Sequence, residues 1–361
     1  MVDFTALDYS IWGFLLAAIG AVCLNGGQMK IDIFNHFYPK QFFEKYINIG
    51  AGFKDMGKRV QALGPIHDLD LRFRAMEPFP DVRQVLTLPQ PPVESLAGPD
   101  QAAEMARMAN DGLAGLVQKH PDHFLAFGAC VPMNNPGETL KEIDRAITQL
   151  GAKGIQLYTN INGRSLDDPE FAPVFDEMAR RDLPIWLHPT RGADFPDYAT
   201  EKKSLYEIWW TFGWPYETSA AMSRLVFSGL FDRHPNIKII THHGGAMIPF
   251  FEGRVGYGWD QLGKRTSDVD YTVLLKSMKQ RPVDYFKNYY ADTALFGALS
   301  GTKCSLDFFG ADKMLFASDM PFEPTPGLYL KETLRVIESL GISADQKEKI
   351  YRTNAEKLMK M

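Results

Sequence analysis

"GIQLYTNINGRSLDDPEFAPVFDEMARRDLPIWLH", residues 154–188, decides how the chain folds. Its opening residues, 154–158, form a short apolar run bounded by turn residues, which reads as a buried strand. "DPEFAPVFDEMARRD" (168–182) then offers Asp168 as an N-cap and Pro169 at the first helical position. A second apolar run, 184–188, follows the helix at once and ends on His188. Strand, helix and strand in this order make a parallel βα unit.

The same alternation runs from Met29 to the C-terminus. Strands are expected at 30–34, 82–88, 124–131, 154–158, 184–188, 238–243, 288–292 and 314–319. Helical patterns occupy 101–120, 137–151 (with Gly151 as C-cap), 168–182, 217–235 (stopped by Pro235) and 343–361. Eight strands separated by helices place the chain in the α/β class and fit a (β/α)8 TIM barrel in count and length. A doubly wound open sheet has the same element order. Polar residues at the strand ends favour the barrel: His36, Tyr158 with Asn160, His188, His242–His243, Asp292 and Asp319. In a barrel those ends converge on one mouth, whereas in an open sheet they spread along an edge.

Residues 29–361 are therefore read as a single barrel domain, without internal repeats. Residues 1–28 are read as an appendage outside it. The apolar stretch "IWGFLLAAIGAVCL" (11–24) is short for a membrane span and has no preceding Lys or Arg, although an export or anchoring segment is the competing reading. The longest irregular stretches, 50–65 and 189–215, are candidate lids. The second carries Trp209, Trp210, Phe212 and Trp214, which either pack the loop onto the barrel or wall an aromatic-substrate pocket.

With 361 residues, a net charge of -5 and no strong basic run, the chain is a poor match for nucleic acid or anionic membranes. Its three cysteines, Cys23, Cys130 and Cys304, are scattered, which gives neither a disulfide framework nor a CxxC zinc signature. A reducing compartment, the cytoplasm, is the expectation.

"KIDIFNHFYP" (30–39) runs from a strand into a loop, and period-two alternation places Asp32, Phe34 and His36 on one face. Two ligands at i and i+2 suit a metal at a strand end, but Phe34 stands where the partner of His36 would be. "PIWLHPT" puts His188 at a strand tip, "IKIITHHGGAMIPFFEGR" puts His242 and His243 at another, and "MLFASDMPF" ends on Ser318–Asp319. The glycine pair after His243 would let a ligand approach the backbone. Taken singly, each of these residues has an ordinary explanation as a core histidine or a helix N-cap. Together they offer nitrogen and oxygen ligands suited to zinc, manganese or iron, with a group to spare for proton transfer. Cys130 and Ser318 rank lower as nucleophiles, because no elbow motif surrounds either.

These stretches, with "VLTLPQPP" (85–92), "RLVFSGLFDRHPNIKIITHHGGAMIPFFEGR" (224–254), "FFGADKMLFASDMPF" (308–322) and "NAEKLMK" (354–360), occur in an order that resembles the amidohydrolase superfamily. The branch is that of aminocarboxymuconate-semialdehyde decarboxylase and the dihydroxybenzoate and carboxyvanillate decarboxylases, and the resemblance covers nearly everything from Met29 onward. It implies a (β/α)8 barrel with one divalent metal at the mouth: zinc first, with manganese or magnesium as alternatives. The family holds its metal by an H-x-H pair after the first strand, a His after the fifth and an Asp after the eighth. His36, His188 and Asp319 match that set. Phe34 replaces the first member of the pair, where related aromatic-acid decarboxylases tolerate Glu. The three remaining ligands suffice for an open catalytic site; alternatively Phe34 marks a site that no longer binds metal.

The resemblance further implies that His243 is the non-ligand catalytic His, with Asp319 as ligand and proton carrier, while His242 faces away. Tyr158, Asn160 and Trp214 would orient a small aromatic or unsaturated carboxylate for non-oxidative decarboxylation. Arg254 lies eleven residues after His243, on a helix expected to start near Met247. In the resembling decarboxylases an arginine at this position crosses a two-fold interface to a neighbour's substrate, which implies a homodimer; a surface or interface salt bridge is the other reading of Arg254. Two rival functions stay open: a metal-dependent hydrolase acting on an ester, lactone or C–C bond, and a non-catalytic binding barrel.

Overall fold

The computed structural model describes residues 28–49 and 54–361. The proposed appendage, save Gln28, and the start of the first candidate lid lie outside the described residues. Eleven strands follow in chain order: β1 (Lys30–His36), β2 (Val82–Thr87), β3 (Phe124–Phe127), β4 (Ala129–Cys130), β5 (Ile155–Tyr158), β6 (Asn160–Ile161), β7 (Arg164–Ser165), β8 (Ile185–His188), β9 (Ile239–Thr241), β10 (Tyr290–Asp292) and β11 (Met314–Leu315). β1, β2 and β3 pair in parallel in that order, and β4, β5, β8, β9, β10 and β11 form a second parallel run.

Backbone hydrogen bonds join the two runs into a closed barrel. β3 and β4 are one stave interrupted at Gly128. Gly128 N donates to Leu86 O on β2 at 2.9 Å, and Ala129 N donates to Gly154 O beside β5 at 2.9 Å. At the other seam Ile33 N donates to Phe316 O (2.9 Å), Asp319 N to Phe34 O (3.0 Å) and His36 N to Met320 O (2.9 Å). The staves are thus the eight expected from the sequence, with β6 and β7 forming a small antiparallel hairpin beyond β5. Every stave runs the same way, so all C-terminal ends lie on one rim.

The helices form because their apolar faces have this barrel to cover. Pro99–Lys119 and Pro136–Thr148 each start with proline in the first turn, where its missing N–H costs nothing. Ala172–Arg181 buries Val174, Phe175 and Met178 against the outside of the staves. Inside the barrel Ile33, Val85, Ala126, Trp186, Ile240 and Leu315 pack together, and Trp186 Nε1 donates to Ile33 O at 2.8 Å. The C-terminal Asn354–Met359 helix adds Leu358 and Met359 to this cluster.

One glycine is required by this packing. Gly154 has φ +151°, and a Cβ there would lie 2.1 Å from Pro184 O and 2.7 Å from the Trp186 ring. Neither a backbone carbonyl nor a fully buried indole can yield. Gly154→Ala is expected to cost roughly 2–5 kcal/mol in urea unfolding, the combined scale of backbone strain and overpacking.

Candidate metal centre at the barrel mouth

Five of the eight staves deliver chemically active residues to the rim. His36 and His188 end β1 and β8, His242 and His243 follow β9, Asp292 ends β10, and Asp319 follows β11. His36, His188 and His242 are buried, and their rings sit 5.1 to 6.2 Å apart, centroid to centroid.

The Nδ1 atom of each is engaged. Thr87 Oγ1 donates to Asn35 O at 2.8 Å, so the 3.0 Å contact with His36 Nδ1 makes that nitrogen the donor. His188 Nδ1 donates to Pro189 O at 2.7 Å, and His242 Nδ1 donates to Asp292 Oδ2. The Nε2 atoms of His36 and His242 turn toward Asp319. Asp319 Oδ1 lies 3.2 Å from His36 Nε2 and 3.3 Å from His242 Nε2, and Asp319 Oδ2 lies 3.5 Å from His243 Nε2.

These residues fit a divalent cation. His36 Nε2 is buried and near Asp319 but makes no aligned hydrogen bond, as expected for two ligand atoms aimed at a shared point rather than at each other. One ligand atom each of His36, His188 and His242 lie within 4.8 Å of one another, and so do those of His242, His243 and Asp319. His242 belongs to both sets. Fixing one ring nitrogen through a protein oxygen sets the tautomer of a ligating imidazole.

Electrostatics separate the imidazoles. Burial lowers the His188 pKa well below its ordinary value, helped by His36 and His242; burial likewise lowers His36 and His243. His242 is the exception: burial pulls it down, but Asp292 and Asp319 outweigh that and raise it to about 9. Burial favours a neutral Asp319, yet His242, His243 and His36 hold its carboxyl well below the usual carboxylate range.

Several sequence expectations change at this point. His242 does not face away. β9 ends at Thr241, and His243 adopts left-handed φ +57°, so strand alternation no longer separates the two neighbours. Their ring centroids lie 3.8 Å apart, tilted by 33°, and both reach Asp319. The following glycines serve packing rather than ligand approach: Cβ atoms at Gly244 and Gly245 would lie 2.7 Å from Ser305 Oγ and 2.4 Å from the Phe309 ring.

Tyr158 and Trp214 flank His188, at 5.3 and 5.5 Å between rings, but the Tyr158 hydroxyl accepts from Gln156 and sits against Leu88 O and Pro89 O. Asn160 is engaged by Thr190, Glu217 and Gly163, so it braces the candidate lid and is not brought to the imidazoles. Arg254 is exposed and lines an outer groove with Tyr216, Phe251 and Tyr257. No regular helix leads to it from Met247; turns precede a π-helical segment at Arg254–Gly258.

Other site neighbours carried no usable sequence signal. Phe322 lies 5.5 Å from the His36 ring and Phe296 5.5 Å from the His243 ring, each on an irregular segment. Asp292, at a strand end, was visible as polar but not as the partner of His242. Glu94, on the short helix Val93–Leu96 after β2, is buried with Oε1 unpartnered among the described residues, and burial raises its pKa to about 8. A raised carboxyl pKa means the fold favours the neutral acid, so stability falls as pH rises from the ordinary 4.5 through about 8. Unfolding midpoints of the wild type should fall over that window, and those of Glu94→Gln should fall less.

Comparison with known proteins agrees with this architecture. The Amidohydrolase family model matches residues 31–360. The gamma-resorcylate decarboxylase of a Polaromonas species is 31% identical over 348 residues, covering 92% of this chain and 98% of that protein. The 2-amino-3-carboxymuconate-6-semialdehyde decarboxylase of Dictyostelium discoideum is 29% identical, covering 72% of this chain and 67% of that protein. Among solved structures, the 5-carboxyvanillate decarboxylase of Novosphingobium aromaticivorans, complexed with manganese and 4-hydroxy-3-methoxy-5-nitrobenzoic acid, superposes with a TM-score of 0.78 at 27% identity, covering 94% of this chain and 97% of that one. With a closed parallel barrel, imidazoles and a carboxylate at its mouth, and a family match over almost its whole length, the chain belongs to the amidohydrolase family.

Proposed function

We propose that the protein is a metal-dependent non-oxidative decarboxylase of a small aromatic or unsaturated carboxylic acid. The observation that supports this reading is the gathering of His36, His188 and His242 at the barrel mouth, with Asp319 beside His36 and His242, in a chain similar along its length to aromatic-acid decarboxylases. His36, His188 and Asp319 would hold the cation, and the imidazole-rich set suits zinc. When bound, the cation supplies positive charge opposite the substrate carboxylate or a neighbouring hydroxyl.

The chain's own residues supply the rest. His243, on the open side of the cluster and close to Asp319, is the proton donor. It protonates the carbon bearing the carboxylate; the bond to the carboxylate then breaks, its electron pair returns to the ring, and CO2 leaves. Solvent returns the proton to His243, so the net change is one proton taken up for each CO2 released. Trp214 and Tyr158 provide apolar walls beside His188, and Asn160 holds the lid that carries Trp214.

The outer groove supports a reading of the assembly. Arg254 makes no ion pair among the described residues and lies among exposed aromatics, Tyr216 and Tyr257. A bidentate guanidinium in an apolar surround suits a carboxylate presented by a second copy, so the protein is read as a homodimer with shared sites. Residues 29–361 act as one catalytic domain. The free thiols of Cys130 and Cys304 suit the cytoplasm, and no helix of the described residues is long and apolar enough to cross a membrane.

A second reading, a binding barrel without metal, draws on Phe34 alone. Elemental analysis of purified protein together with CO2 release from a panel of hydroxybenzoates decides between them. The expected result is about one metal per chain, lost in His188→Ala, with CO2 as product. His243→Ala should lower turnover about 100-fold or more. Mixing Arg254→Ala with His243→Ala subunits should restore activity, because one site of each mixed dimer carries both intact residues; no restoration despite subunit exchange would place Arg254 outside a shared site.

A further inference from the structure

Phe34 occupies the strand position from which the family supplies a metal ligand, and its ring fills that space. It is fully buried, 5.5 Å from the His36 ring, 5.7 Å from the His188 ring and stacked on His242 at 3.8 Å with 18° between planes. His243 packs against His242 at the same 3.8 Å centroid separation, tilted by 33°. With Phe34 stacked on it and His243 packed against it at an angle, His242 has little room to tilt. Rotation about its own axis is prevented by Asp292, which accepts from Nδ1 and is itself held by Gly244 N (3.0 Å) and Ala294 N (3.1 Å). Nε2 remains, turned to Asp319 Oδ1 at 3.3 Å, in a ring that offers one nitrogen within 4.8 Å of nitrogens on both His36 and His188.

We propose that His242, through Nε2, is the fourth protein ligand of the divalent cation, replacing the ligand that Phe34 cannot supply, and that Phe34 is the positioning residue that fixes its ring. This rests on the metal-dependent reading above. Three observations support it. His242 is bound at Nδ1 by a protein oxygen, as His36 and His188 are, and a carboxylate behind an imidazole is a common device at metal centres. His242 is the only residue common to the two potential ligand clusters of the described chain. The neighbouring His243 also reaches Asp319, so the mouth keeps an imidazole for proton transfer when His242 is committed to the metal.

The test reads metal binding and not turnover. Chelator-stripped full-length protein is titrated with Zn2+ against a chromophoric chelator, and the Co2+ and Zn2+ forms are examined by X-ray absorption to count imidazole ligands. The wild type should show three. His242→Asn keeps an amide donor near the Nδ1 position for Asp292 but removes Nε2; it should show two and bind Zn2+ more weakly by at least the roughly 10–100-fold lost with an outer-shell partner. His243→Ala should keep the count at three imidazoles, whatever it does to affinity through Asp319. In Phe34→His protein the strand position again carries a ligand, so adding His242→Asn should cost little. Two imidazoles in the wild type, unchanged affinity in His242→Asn, or an equal loss from His242→Asn on the Phe34→His background would each overturn the proposal. The wild-type count needs no variant to fold. If the wild type itself binds neither metal, the metal-dependent reading falls and this inference with it; if His188→Ala loses the metal and His242→Asn does not, only this inference fails.

Discussion

The seam between β11 and β1 is the constraint on which the mouth depends. Asp32, fully buried on β1, accepts from Ser318 N (2.9 Å), Ser318 Oγ (2.6 Å) and Gln84 Nε2 (3.0 Å). Burial raises its carboxyl to about 6, and these bonds and Arg72 oppose the rise. An unsatisfied carboxylate at that depth would be costly, so its three donors hold β1, β2 and the segment after β11 in one arrangement. The next residue is Asp319. Its backbone N donates to Phe34 O, and its φ of +62° aims the side chain at His36. Buried Arg72 bonds to both His36 O and Gln84 Oε1, tying the strand-1 imidazole into the same network.

The mouth is therefore set before any ligand enters. Three imidazoles from three staves are oriented by oxygens of a hydroxyl, a carbonyl and a carboxylate, each placed by a different element. Such prior orientation is what a tight and selective site requires of its side chains. Phe34 packs into this set and adds dispersion contacts against three imidazoles.

The candidate lids belong to the same mechanical unit. Ala193 N donates to Asp55 Oδ2 at 3.1 Å, which links the segment after β1 to the long loop after β8. Trp214 Nε1 donates to Arg191 O, Arg191 pairs with Glu217, and Glu217 meets Asn160 beyond β5. The tryptophans divide accordingly. Trp209 and Trp214 are buried in the loop and toward His188, while Phe212 is exposed. The loop thus both packs itself onto the barrel and walls the mouth, the two roles that composition alone left open.

Strand count, helix order and the rim placement of His36, His188 and Asp319 were legible in the sequence, because apolar runs, caps and period-two alternation are local properties of the chain. The presence of Phe34 two residues before the rim histidine His36 was equally plain. What the local rules misjudged lies where regular structure stops. Alternation assigned His242 and His243 to opposite sides, but it holds only for extended backbone, and left-handed torsions from His243 through Ala246 turn both imidazoles to Asp319. Helical spacing suggested a regular helix into Arg254, where turns and a π-helical segment occur instead. The Asp292–His242 bond, the packing of Phe34 against His242, and the seam through Asp32 and Ser318 join residues 50 to 286 positions apart. Such contacts are specified by barrel closure and side-chain packing, which no local pattern encodes; only the tertiary structure decided which imidazoles share a point in space.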